Sequence, residues 1–182
     1  GQLLFKCLAY YHSMKFGFVV PQPSPTFQDI FSIAVRCEKA GFDSFWMADH
    51  TMIPPPERCF VPDAYMTLGG VALRTEKMML ATAVTCPHRR SLVVLAQITT
   101  TLDHLSRGRA ALGIGAGESM NLDPFALPWD RPVSRTVEAI EVMKKFWTED
   151  YCFDFEGEFY EVRNGFLQLA PVQKPYPPIY YA

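Results

Sequence analysis

The stretch RAALGIGAGESMN, Arg109 to Asn121, carries apolar residues into glycines at every second position, Gly113, Gly115 and Gly117, and then presents Glu118 and Asn121. Two readings compete. One is a phosphate-cradling loop that opens a helix. The other is a buried strand whose carboxyl end turns sharply and displays polar side chains. A dinucleotide-binding loop needs G-x-G-x-x-G, with its third glycine inside a helix that begins at once. Here the order is G-x-G-x-G, and the following ESMNLDPFALPWDRP contains Pro124, Pro128 and Pro132, which forbid a continuous helix. No G-K-[ST] follows, so a P-loop is also excluded. The strand reading remains, with Gly117 letting the chain turn and approach a neighbour closely.

Outward from this stretch, strand-like and helix-like segments alternate. KFGFVV (15–20) is a short apolar run closed by Pro21, Pro23 and Pro25. In TFQDIFSIAVRCEKAG, Thr26 is placed to cap a helix and Gly41 to close it, with Phe27, Ile30, Phe31, Ala34, Val35 and Cys37 at helical spacing. DSFWMAD (43–49) is a second strand ending on Asp49 and His50. AYMTLGGVALRT is a second helix, and KMMLATAVT (77–85) a third strand running into Cys86, Pro87 and His88. SLVVLAQITTTLDHLSRG is a third helix with Ser91 as cap and Gly108 as terminator, and residues 134–150 form a fourth. Residues 151–169 alternate aromatic and polar residues around two turn signals, which predicts small antiparallel strands. PPIYYA (177–182) begins a fifth parallel strand. Short, wholly apolar strands alternating with helices are the mark of parallel βα units, an α/β fold. Periodicity alone leaves open whether the sheet is flat or closed. A barrel of eight units takes about 250 residues, so a barrel would here be truncated to about its first five strands, with an apolar last edge.

Bulk composition narrows the function. The 182 residues are 49% hydrophobic and 20% charged with a net charge of −2, a globular profile with no electrostatic footprint for nucleic acid. The longest basic runs are pairs, Arg89–Arg90 and Lys144–Lys145. Five scattered cysteines and four separated histidines give neither a full disulfide set nor a zinc pattern, so no metal site is expected and reduced, cytoplasmic thiols are. No stretch reaches the roughly 20 apolar residues of a membrane helix. Residues 1–13 read as an N-terminal extension, and residues 14–182 as the domain.

Ligands of parallel α/β folds bind at the carboxyl ends of the strands, where three successive strands here end in polar groups. Asp49 could equally cap a turn and His50 sit exposed in a loop. Glu118, beside a glycine turn, is either solvated or positioned. His88, His104, Cys86 and Trp129 read as structural.

Together GFDSFWMADH, LATAVT, LDHLSRGRAALGIGAGE and ESMN resemble the luciferase-like superfamily of flavin and deazaflavin oxidoreductases, and within it the coenzyme F420-dependent branch. The resemblance runs from about Met14 to Ala182. It implies the amino-terminal half of a (β/α)8 TIM-type barrel, with the cofactor lying across the strand ends. It implies hydride transfer between F420 and a small organic substrate. The alternatives are an FMN-dependent monooxygenase of the same fold and, in a different class, a non-catalytic half-barrel that pairs with a partner. By resemblance Asp49 approaches the tricyclic ring and His50 handles protons. Ala83–Val84, followed by Thr85, would be a cis peptide bulge behind the ring. Ala116, Gly117, Glu118 and Asn121 would line the cofactor and substrate pocket, with Glu118 and His50 as the catalytic pair. The full-length form is expected to be a homo-oligomer that meets neither nucleic acid nor membrane. Reductases of methylene-tetrahydromethanopterin commonly carry an acid in the first strand. None lies near Val19 here, which counts against that substrate. The family's cofactor-phosphate site comes after the fifth strand.

Overall fold

The computed structural model describes residues 14–55 and 57–182; the proposed extension, residues 1–13, lies outside them. Five parallel strands form the central sheet: β1 (Gly17–Val20), β2 (Ser44–Met47), β3 (Met79–Thr82), β4 (Ala110–Ile114) and β7 (Ile179–Tyr181), in the order β1-β2-β3-β4-β7. That order decides between the two parallel architectures. A doubly wound sheet reverses its strand order at a switch point, whereas here each strand adds beside the last. With right-handed crossovers, such an order places every connecting helix on the same side. This is the arrangement of one arc of a barrel.

Four helices fill the crossovers: α1 (Phe27–Lys39), α2 (Ala64–Ala72), α3 (Leu92–Leu105) and α4 (Pro132–Thr148). Ile30, Ala34 and Cys37 of α1 are buried, as the helical spacing predicts. The Thr26 hydroxyl accepts the Asp29 amide, satisfying one of the amides a helix start leaves open. Asp63 does the same for Met66 at the start of α2. Two expectations shift. Ser91 occupies the cap position of α3 but makes no side-chain capping bond. The second helix stops at Ala72 rather than Thr75, and the Thr75 hydroxyl folds back on the Val71 carbonyl.

The two faces of the sheet differ in kind. Phe45, Met47, Leu80, Leu112 and Ile114 point into a core shared with Leu68, Val71, Leu95, Ala96, Val142 and Met143 of the helices. Each such side chain contributes about 1.5–3 kcal/mol by leaving water. The opposite face carries Trp46, Ala81 and Gly113, the last with Tyr180 in register. Gly113 must be glycine: a Cβ there would fall 1.8 Å from the Thr82 carbonyl oxygen.

Strand β3 is interrupted where the sequence predicts continuity to residue 85. It pairs through Thr82, Ala83–Val84 is a cis peptide, and Thr85 rejoins β4 as a single bridge to Ile114. The Gly113 carbonyl takes both the Thr82 hydroxyl at 2.7 Å and the Thr85 amide at 2.8 Å. The aromatic alternation after α4 is a two-stranded antiparallel ribbon, β5 (Phe153–Glu156) with β6 (Glu161–Gly165). It packs through Phe153 against Phe146 of α4, with ring centroids 5.1 Å apart.

Candidate active site

The carboxyl ends of β1 to β4 meet in one cluster. Asp49 lies two residues past β2 and is buried, 4% exposed. Its carboxylate accepts the Thr85 hydroxyl at 2.6 Å and pairs with Arg89 at 2.7 Å and Arg90 at 2.9 Å. Burial pushes the Asp49 carboxyl up. The Arg90 hydrogen bond, the Arg89 charge and the Thr85 hydroxyl outweigh it and hold the group below the ordinary aspartate range. Arg89 also reaches the Asp49 carbonyl and the Thr51 hydroxyl, and Arg90 reaches Asp63 at 2.6 Å. One carboxylate thus fastens the loop after β3 to the loop after β2.

Asn121 performs the matching task for the loop after β4. Its Oδ1 accepts the amides of Thr51 and Met52 at 2.8 and 3.0 Å. Its Nδ2 donates to the Met52 carbonyl and to Glu118 Oε1, both at 3.1 Å. An amide offers two acceptor positions and two donors, so Asn121 is fully engaged within the protein.

His50 sits between these fastenings. Its Nε2 lies 2.9 Å from Glu118 Oε1, and its Nδ1 lies 2.6 Å from Gln22 Oε1 in the loop after β1. Both members of the pair keep partial access to solvent, at 30% and 45% side-chain exposure. Glu118 Oε2 receives no hydrogen bond from another described residue, so it is the one carboxylate oxygen in the cluster with capacity to spare.

Behind this pair, Ala83, Val84 and Thr85 of the β3 interruption face Ala116 and Gly117 of the β4 turn. Gly117 has φ +78°, and a Cβ there would stand 2.5 Å from Cys86 Sγ. Cys86 is buried, and burial pushes its thiol up, so it fills space rather than serving as a thiolate. The Trp129 indole donates to the Ala116 carbonyl at 3.1 Å. These walls enclose a cavity of about 310 Å³. All nine residues singled out from the sequence border it: Glu118, His50, Asp49, Ala83, Val84, Thr85, Ala116, Gly117 and Asn121. Hollows of about 560 and 670 Å³ lie elsewhere, and among their described residues neither pairs an imidazole with a carboxylate.

Gln22, Arg89 and Arg90 escaped the sequence reading. Arg89 and Arg90 stood out only as a basic pair, and nothing local marks them as partners of an aspartate forty residues earlier. Gln22, between two prolines, is 28 residues from His50 and meets it only through the β1–β2 pairing. His88 and His104 lie as structural groups would. His88 is near Thr136 and Tyr160, both at 3.4 Å, and His104 bonds the Ala170 carbonyl at 2.8 Å. Among the described residues no cluster suits a metal ion and no helix is long and apolar enough to cross a membrane.

Comparison with known proteins places this arrangement. Residues 13–182 match the family model described as luciferase-like monooxygenase. An F420-dependent glucose-6-phosphate dehydrogenase of Amycolatopsis mediterranei is 32% identical over 160 residues, covering 85% of this chain and 47% of that protein. A 5,10-methylenetetrahydromethanopterin reductase of Archaeoglobus fulgidus is 29% identical over 162 residues, covering 89% and 46%. The solved structure of an F420-dependent secondary alcohol dehydrogenase in complex with an F420-acetone adduct superposes with TM-score 0.80 at 31% identity, covering 92% of this chain and 51% of that one. The chain spans about half the length of the curated relatives it matches. The consecutive strand order is accordingly an arc of a TIM-type barrel, and the chain belongs to the luciferase-like monooxygenase family.

Proposed function

We propose that the protein is a coenzyme F420-dependent oxidoreductase that moves hydride between the deazaflavin and a small organic substrate of the alcohol–carbonyl kind. The observation that carries this reading is the His50–Glu118 contact of 2.9 Å, set in a cavity that Ala83, Val84, Ala116 and Gly117 also border.

The cavity suits a flat ring system. Ala83, Ala116 and Gly117 leave the surface low, and a side chain at Gly117 would collide with Cys86. Val84, Ala116 and Gly117 would hold such a ring by contact, while Asp49 and Asn121 act beneath it by fixing the loops. When bound, F420 would supply the hydride donor or acceptor. The protein's share is orientation, exclusion of water and management of the proton that accompanies the hydride. Glu118 Oε2 is free to take that proton from a substrate hydroxyl or return it to a carbonyl oxygen. The imidazole beside Oε1 supports either state of the carboxyl group. Names of relatives support the cofactor: two of the proteins compared above are F420-dependent by name.

A fluorescence titration of the purified chain with F420 and, in parallel, FMN tests the reading. Saturable F420 binding, with FMN at least about tenfold weaker (about 1.4 kcal/mol), is the expected result. Tighter FMN binding would move the protein to the flavin monooxygenase side of the family. A folded chain that binds neither would overturn the catalytic reading and favour a non-catalytic half-barrel.

A further inference from the structure

We propose that Gln22 is a positioning residue that fixes the tautomer of His50 and so keeps a shared proton between His50 and Glu118. The Gln22 amide has one orientation that suits both of its neighbours. Its Nε2 donates to the Ala48 carbonyl at 3.2 Å, and its Oε1 faces His50 Nδ1 at 2.6 Å. Rotating the amide by half a turn would set two carbonyl oxygens against each other at Ala48. The atom facing the imidazole is therefore an oxygen, which can only accept. Nδ1 must carry a hydrogen.

The consequence falls on the other ring nitrogen. A neutral imidazole has one N–H. With that hydrogen held at Nδ1, Nε2 is a bare acceptor facing an oxygen of Glu118. The 2.9 Å contact then requires a further proton, carried either as imidazolium against carboxylate or as imidazole against carboxylic acid. Without Gln22, the neutral ring could place its hydrogen on Nε2 and satisfy Glu118 with no extra proton. Gln22 thus loads the pair. The other groups near the pair are the amide of Asn121, which reaches Glu118 Oε1 from the β4 loop, and the Asp49–Arg89–Arg90–Asp63 network, whose Asp49 precedes His50 in the chain. That network sets two carboxylates against two guanidinium groups, so among the described residues Glu118 is the uncompensated charge in contact with the imidazole.

This role rests on the proposed hydride transfer for its catalytic meaning, because a loaded proton matters only if the substrate oxygen gains or loses one. Its structural content can be read without cofactor. Nitrogen-15 correlation spectra of the imidazoles of the cofactor-free chain distinguish pyrrole-type from pyridine-type nitrogens, and His50→Gln identifies the His50 signals. A pyrrole-type Nδ1 is expected in the wild type. Gln22→Met, similar in length but without an acceptor oxygen, is expected to lose that pattern, and Gln22→Glu, which gives up the Ala48 bond but keeps an acceptor at Nδ1, to retain it. If F420 turnover is present, its kcat falls about tenfold in Gln22→Met with KM within about twofold, and recovers in Gln22→Glu. A pyridine-type Nδ1 in the wild type, or an unchanged His50 spectrum in Gln22→Met, would overturn the proposal. Failure to bind F420 would instead sink the proposed activity and leave the tautomer result standing.

Discussion

The two ends of one sheet hold cavities of opposite character. At the amino ends of the strands lies a hollow of about 670 Å³, bordered by Asp43, Ser44, Trp46, Arg109 and Gln173. At the carboxyl ends lies the smaller one, about 310 Å³. The larger is as rich in polar residues, and several of them are engaged in holding the strand ends together. Arg109 donates to the carbonyls of Ala72, Thr75, Met78 and Ser106. Asp43 takes the Phe16 amide, Ser44 takes the Trp46 indole, and Gln173 holds Asp103 and the Ala110 carbonyl. At the carboxyl ends Glu118 Oε1 meets His50 Nε2 at 2.9 Å, and Oε2 accepts no hydrogen bond from another described residue. Size does not separate structural from chemical hollows here. An imidazole paired with a carboxylate does.

The site divides again within itself, into residues that fasten loops and residues that face a ligand. Substitution should separate them by stability. The largest loss is expected at Asp49. Asp49→Ala leaves Arg89 with no carboxylate and Arg90 with Asp63 alone, and breaking a buried pair from one side costs about 3–5 kcal/mol. A shift in denaturant midpoint reads it. The same group gives a pH signature. Its folded pKa is depressed, so its stabilisation is present above the unfolded value near 4 and is lost as pH falls through the folded one. Wild-type protein should weaken below about pH 4 by an amount that Asp49→Ala no longer shows. Arg109→Ala comes next, at about 2–3 kcal/mol, because four carbonyls lose a charged donor. It should leave F420 affinity unchanged, since it lies at the opposite end of the sheet. A large loss of affinity there would break the comparison.

Much of this was legible in the sequence for a simple reason. The short parallel strands carry no charged, amide or imidazole side chain, so Asp49, His50, Glu118 and Asn121 stand at strand ends, and chain direction put those ends together. The glycine spacing told against a phosphate cradle, and the proline-rich loop agreed. What was not legible is reciprocal. Asp49 reads as a carboxylate aimed at a ligand, but its oxygens are occupied by Thr85, Arg89 and Arg90. Those partners come from one loop, whose path depends on where β3 breaks. That break occurs within ATAVT, whose apolar and β-branched residues read as unbroken strand; only the family resemblance placed a cis bulge at Ala83–Val84, where the structure has it. Gln22 is hidden differently: glutamine between prolines resembles any polar loop until strand pairing brings it under His50.

Gly117 refines the comparison at smaller scale. Gly117→Ala places a methyl against Cys86 Sγ in a backbone conformation unfavourable for alanine, and about 1–2 kcal/mol is expected. Cys86→Ala in the same chain should recover only part of it, because the contact is relieved while φ stays positive. Full recovery in the urea midpoint would mean that the backbone cost is negligible at this turn.

The smallest expected effect on stability is the most informative. Glu118→Gln keeps an oxygen for Asn121 Nδ2, and its side chain is nearly half exposed, so stability should stay within about 0.5 kcal/mol of wild type. The carboxamide cannot exchange a proton, and the turnover rate should fall about 100-fold or more, with F420 affinity within about threefold. Fastening residues lose stability when altered; Glu118 should lose only chemistry. A Glu118→Gln variant that unfolds would make the residue one more fastener of the loops. One that binds F420 and turns over at the wild-type rate would remove the proton from Oε2 and oblige the site to find it elsewhere.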